Sequence, residues 1–289
     1  MSWKTLGFKQ NKDLFDSLLD KGELAHAYLF HGQDMIGKRT FAEELAGKVA
    51  GSGTDIFIID KPDLSDVKDD EDSKDTTTVT IGDVRKIKNF LSLTASGGKH
   101  KVVIINDAHN MTDEAQNATL KILEEPTGDT VIMLITNNDE ILLATIKSRC
   151  QDVHFKPHSK TDFDKSFTDA NMSAEQRKFL FEFSNGRIGL IKRMLADDSF
   201  DEIKKNAEEL MELIKAKLHD RLILTQDMVR SRSRDQLQKK VLYWILFMYT
   251  RTNDVKNYKL LKYLLELYDI ISKQQFNHQL AFEVFVTKI

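Results

Sequence analysis

Lys101-Val102-Val103-Ile104-Ile105-Asn106-Asp107-Ala108-His109 is an apolar run that stops abruptly on polar residues. Four branched aliphatic residues in succession, with no polar alternation, read as a strand buried on both faces, the form strands take inside a parallel sheet. Residues 112–125 follow as a helix and residues 131–135 as the next strand. Toward the N-terminus, Ala27-Tyr28-Leu29-Phe30 is a short apolar run halted by Gly32. Phe41, Leu45 and Val49 recur at helical spacing, and Ile56-Phe57-Ile58-Ile59 reads as another buried strand. Residues 84–93 look helical. Strand and helix alternation of this kind predicts an α/β fold with a parallel sheet and crossover helices over residues 1–155.

The 289 residues are enough for two or three domains. No apolar run approaches the roughly 18 residues of a membrane span, and no apolar signal core follows Met1-Ser2-Trp3-Lys4. One cysteine, Cys150, excludes an internal disulfide and a four-cysteine zinc site within the chain. A reducing cytoplasm is the expected compartment, with no membrane partner. The formal net charge of −3 does not advertise a global nucleic-acid surface. Residues 63–75 (DLSDVKDDEDSKD) are acidic and poor in apolar groups, and read as a solvated loop.

Gly32-Gln33-Asp34-Met35-Ile36-Gly37-Lys38 has the spacing of a phosphate loop between a strand and a helix. In such loops, backbone amides and the helix N-terminus face phosphate oxygens, and the lysine reaches the terminal phosphates. Arg39 stands where a magnesium-binding hydroxyl should follow Lys38. Thr40 comes one residue later, about 100° further around the helix, and does not replace it. The strand that should deliver carboxylates ends on Asn106, and an amide is a poor magnesium ligand. Asp107 then takes the base position; if Asp107 is instead the metal ligand, Ala108 falls at the base position. Either register loses one required group. The nucleotide site (Gly32, Gly37, Lys38, Arg39, Thr40, Asn106, Asp107) reads as degenerate: ATP or ADP could be held without hydrolysis, none is required, and no metal site is expected.

After Pro157 the pattern becomes helical. Short helices are expected around Phe179, Leu180, Phe181, Phe183, Ile188 and Leu190, with a break at Asn185-Gly186. From residue 200 onward, Leu237, Val241, Leu242, Ile245 and Leu246 form one apolar face. Leu260, Leu261, Leu264, Leu265 and Tyr268 form another.

The order of His26-Ala27-Tyr28-Leu29-Phe30-His31-Gly32, Gly37-Lys38, Glu114-Ala115-Gln116-Asn117-Ala118, Leu120-Lys121-Ile122-Leu123-Glu124-Glu125-Pro126 and Thr145-Ile146-Lys147-Ser148-Arg149-Cys150 resembles the bacterial clamp-loader AAA+ family. Within it the match is to the stator subunits. The strong motifs span residues 24–155, and Asn277-His278-Gln279-Leu280-Ala281-Phe282-Glu283 is a weaker echo. The resemblance implies an AAA+ RecA-like domain (1–156), a small helical lid (157–200) and an all-α collar (201–289). It implies a hetero-pentamer with gamma/tau and delta subunits, which opens a sliding clamp and loads it on primed DNA without sequence preference. It also implies that Ser148-Arg149 supplies an arginine finger in trans to ATP on a neighbour, where a planar cation stabilises the transferring phosphoryl group. The family's phosphate sensor falls at Thr136 or Asn137.

Three departures accompany the resemblance. The lid arginine of hydrolysing relatives matches Gly189, with Arg187 offset. The four zinc cysteines of many members are missing between Gly47 and Thr80, so no zinc is expected. Residues 97–101 (GGKHK) form a basic loop whose Lys99 could meet DNA phosphate, although charge density alone favours a solvated loop. Two rival readings remain at this level: an active ATPase motor of the same family using Lys38 and Asp107, and an interaction scaffold that reuses the fold.

Overall fold

The computed structural model describes residues 3–61, 77–96, 100–168, 172–197, 200–249, 251, 255–273 and 277–289. The acidic segment 63–75 and residues 97–99 of the basic loop lie outside them. Contacts divide the chain into two units: residues 1–166 with 187–189, and residues 167–186 with 190–289.

The first unit is built on five parallel strands: β1 (Ala27–His31), β2 (Ile56–Ile59), β3 (Lys101–Ile105), β4 (Thr130–Thr136) and β5 (Gln151–His154). Their order across the sheet is β2-β3-β4-β1-β5. The inner strands β3 and β4 are buried at every position, as their unbroken apolar sequences require when helices cover both faces. Side chains alternate between the two layers. Tyr28, Phe30, Val102, Ile104 and Met133 join α1 (Lys9–Lys21) and α2 (Lys38–Val49) in one core. Leu29, Val103, Ile105, Ile132 and Leu134 join α3 (Ile81–Ser92), α4 (Asp113–Glu124) and α5 (Ala144–Lys147) in the other. Thr112 caps α4 by accepting the Ala115 N–H at 3.1 Å, and two acidic residues in the first turn complement the helix dipole. The helix α6 (Lys160–Ser166) completes this unit.

β2 corrects the expectation of a fully buried strand. It lies at the sheet edge, and Ile58 is 38% exposed. Its aliphatic sequence reflects strand propensity more than two-sided burial. The edge strand β5 and the helix α1 were not anticipated. β5 buries only Val153, and α1 buries only Phe15, so neither carries a strong apolar signature.

The second unit contains α7 (Ala174–Ser184), most of α8 (Ile188–Asp197), α9 (Phe200–Lys215), α10 (Leu218–Arg230), α11 (Arg234–Tyr249), α12 (Val255–Ser272) and α13 (His278–Lys288). The break between α7 and α8 is where expected, with Asn185 and Gly186 at φ 52° and 73°. The apolar faces need correction. Leu242 and Leu265 are 39% and 51% exposed, while Trp244 and Phe247 are buried. The core-facing side of α11 runs through Leu237, Lys240, Val241, Trp244 and Met248. Lys240 is held inside by Asn206 Oδ1 at 2.7 Å and by Glu209, so a buried charge interrupts the stripe that hydrophobicity alone would draw. Asn277 caps α13 through the Leu280 N–H. Among the described residues no helix is long and apolar enough to cross a membrane.

Candidate functional site

The parallel register aligns Ile59 with Ile105. The residues that follow, Asp60 and Asn106, therefore emerge side by side at the C-terminal edge of the sheet. The loop after β1 opens on the same edge, where α/β sheets place their ligands. Together they line a cavity of about 390 Å³. Gly37, Lys38, Arg39, Thr40, Asn106 and Asp107 all border it, with Asp34, Met35, Asp60, Lys61, Ile135 and Gly189.

The loop follows its sequence pattern in backbone shape. Gly32, Met35 and Gly37 have φ of 143°, 56° and 103°, and Gly37 leads into α2. Four of its carbonyls are bonded. Lys38 Nζ donates to Gly32 O at 2.7 Å and to Gln33 O at 2.6 Å. The Gly189 N–H donates to Met35 O at 2.8 Å. His158 Nε2 donates to Ile36 O at 2.6 Å. A carbonyl can only accept, so Nε2 carries the imidazole proton. His158 Nδ1 is buried without a partner, and burial lowers the pKa of this ring.

Lys38 is 6% exposed. Desolvation lowers its pKa to about 8, against the opposing pull of Asp34 and Asp107. The unfolded chain therefore binds more protons than the folded one between about pH 8 and the ordinary lysine value. Stability contributed here rises with pH across that window, by up to roughly 3 kcal/mol. Urea unfolding at pH 7.5 and pH 10 should show a larger gain, or a smaller loss, for the native chain than for Lys38→Met. Equal pH responses would show that Lys38 is not held in this way.

The wall opposite Lys38 carries the altered chemistry. Asn106 Nδ2 donates to Asp60 Oδ1 at 3.0 Å and to Asp107 Oδ2 at 2.9 Å. Its amide thus presents hydrogens to the two carboxylates and ties them together. Arg39 forms ion pairs with Asp60 and with Glu43, the latter at 2.8 Å. Asp107 sits at φ 48° and opens a short 3-10 turn over Ala108–Asn110. Magnesium needs an octahedral set of oxygens with anionic members. Here the carboxylates are already engaged by an amide and a guanidinium, and the residues present do not fit a magnesium–phosphate group.

Thr136 and Asn137 do not join this wall. Thr136 is buried, its hydroxyl accepting the Asn138 N–H at 3.0 Å and lying 3.3 Å from His109 Nδ1. Asn137 is exposed, and Ile135 is the β4 residue that borders the cavity. Gly189 approaches so closely that a Cβ there would lie 2.6 Å from Met35 O. The position matched to the lid arginine is thus occupied by a backbone contact with the phosphate loop.

Ser148 and Arg149 stand apart from the cavity, between α5 and β5. Ser148 Oγ donates to Thr145 O at 3.0 Å. Arg149 Nη1 donates to the same carbonyl at 2.9 Å, and Nη2 pairs with Glu124 at 2.7 Å. Burial pushes the Cys150 thiol up to about 12, which leaves it unreactive as a nucleophile at neutral pH.

Asp60 escaped sequence reasoning although it partners both Arg39 and Asn106. The available signal was positional: it follows one apolar strand as Asn106 follows another, and neighbouring parallel strands bring such residues together. Glu124 lies within the Leu120–Pro126 motif, whose pattern assigns it no role.

Residues 8–159 match the family model described as DNA polymerase III, delta subunit. The chain is 34% identical to DNA polymerase III subunit delta' of Pseudomonas aeruginosa over 158 residues, covering 47% of this chain and 45% of that protein. It is 27% identical to the Bacillus subtilis subunit delta' over 241 residues, covering 78% of this chain and 71% of that protein. The chain thus spans less than half of the Pseudomonas relative. A DNA polymerase III gamma subunit-related protein from Thermotoga maritima superposes with a TM-score of 0.56 at 20% identity, over 94% of this chain and 97% of that one. That likeness supports the AAA+ fold expected from the sequence.

Proposed function

The chain belongs to the DNA polymerase III delta-subunit family of clamp-loader proteins, and we propose that it is a non-catalytic delta-prime stator within a loader that places a sliding clamp on primed DNA. The observation that carries this reading is the wall formed by Asn106, Asp60, Asp107 and Arg39. It retains the outline of an ATP site, with its two carboxylates tied up by an amide and a guanidinium where magnesium would need them. Gly32, Gly37, Lys38 and Thr40 then serve as scaffold, and nucleotide is not required.

Residues 157–200 act as the lid and residues 201–289 as the collar that joins gamma/tau and delta neighbours in a hetero-pentamer. Arg149, with Ser148 bracing the same turn, serves ATP bound by an adjacent subunit. Contact with primed DNA is through phosphate and independent of base sequence.

ATP turnover by the purified chain, measured beside that of the assembled loader, tests the reading. The isolated chain should give background turnover with or without magnesium, and Lys38→Ala should leave clamp loading by the complex unchanged. Asn106→Asp should not restore hydrolysis, because Arg39 still stands in place of the hydroxyl. Magnesium-dependent turnover lost in Lys38→Ala would identify a motor instead. Failure to assemble with gamma/tau and delta would identify a scaffold of another system.

A further inference from the structure

We propose that Glu124 is a positioning residue for Arg149, orienting its guanidinium toward a neighbouring subunit's phosphate. This rests on the reading of Arg149 as a residue that acts in trans. Glu124 ends α4, where exposed helix carbonyls make an acidic side chain unfavourable. The basic Lys121 of the same turn is what the helix alone prefers. A carboxylate at 124 is therefore unexplained by the helix, and is explained by its 2.7 Å ion pair with Arg149.

The second anchor is the Thr145 carbonyl, 2.9 Å from the other terminal nitrogen. Bonds to two different nitrogens fix the plane of the guanidinium as well as its location. The side chains of Arg149 and Glu124 are 35% and 47% exposed, so the pair lies at the surface, and arginine has further N–H donors to offer. An unanchored arginine would lose rotamer freedom on docking against phosphate; one held beforehand loses less. The carboxylate contributes through Arg149 and touches no reacting atom.

The test uses the complete loader assembled with native partner subunits, and reads clamp-stimulated ATP turnover. Glu124→Ala should lower kcat by less than the severalfold fall expected on removing Arg149 itself, as a displaced but still present catalytic group does, with KM for ATP little changed. Glu124→Gln keeps an acceptor oxygen and should recover part of the loss. In an Arg149→Ala background, Glu124→Ala should cause no further loss, since its effect passes through that side chain.

Native turnover in Glu124→Ala, with Arg149→Ala impaired, would overturn the positioning role and leave the trans reading standing. A further loss in the double variant would also overturn it, by showing that Glu124 acts elsewhere. Native turnover in Arg149→Ala would remove both readings together. Circular dichroism and thermal melts of the variants should match the native chain, because the pair is exposed.

Discussion

If Arg149 acts in trans as proposed, Arg149→Ala should abolish the contribution of one ATP site in the assembled loader while leaving this chain folded. An arginine delivered to a transferring phosphoryl group supplies roughly 10³- to 10⁵-fold in kcat. The site served by this residue should lose acceleration on that scale. In the proposed pentamer, total clamp-stimulated turnover should fall less, by severalfold, because only the ATP site that Arg149 faces would be affected. The cost to folding is small. Arg149 makes one surface ion pair and one bond to a neighbouring carbonyl, and exposed pairs contribute about 0–1 kcal/mol. The informative result is a large loss of activity with a melting temperature shifted by only a few degrees. Unchanged turnover in a complex shown to contain the variant would contradict a role in trans.

Gly32→Ala has its largest effect on folding. Gly32 lies at φ 143°, and a Cβ there would sit 2.2 Å from Phe155 O. The obstacle is backbone, and Phe155 is itself fixed by its N–H bond to His31 O at 2.8 Å and by ring contacts with Phe30 and Phe41. Conformational strain of about 1–3 kcal/mol adds to overpacking of about 1–3 kcal/mol. A loss of roughly 2–6 kcal/mol is expected, a large fraction of the stability of an ordinary domain. Gly22→Ala is the control: φ is 68° and nothing lies within 4 Å of the added carbon, so only the smaller conformational cost applies. Urea unfolding of both variants separates the two contributions. Equal, small losses would mean that the loop moves aside. The comparison also gives Gly32 a structural role independent of any phosphate: it is needed for the passage of β1 beside the chain leaving β5.

The central strands were legible because burial on both faces leaves a continuous apolar record, as in Val102–Ile105. α2 was legible from the spacing of Phe41, Leu45 and Val49. The edge elements were not. β5 places one residue, Val153, in the core, and α1 anchors through Phe15 alone. α11 misled because Lys240 occupies a core position while Leu242 faces outward; the compensating Asn206 lies 34 residues away in sequence. The departures from a phosphate-loop site were legible in the sequence, Arg39 for a hydroxyl and Asn106 for a carboxylate. The partners that these residues take were not. Asp60 joins Arg39 to Asn106 only because the sheet register sets two strand ends beside each other. Gly189 reaches Met35, and His158 reaches Ile36, across 154 and 122 residues of sequence, distances no local pattern spans.

The carbonyl bonds of Gly32, Gln33, Met35 and Ile36 have a mechanical consequence. Lys38, Gly189 and His158 pin this segment from three directions, removing the slack that would make it a hinge. Force applied to this part of the molecule would be transmitted through it, as through a strut, without being spent on rearranging it.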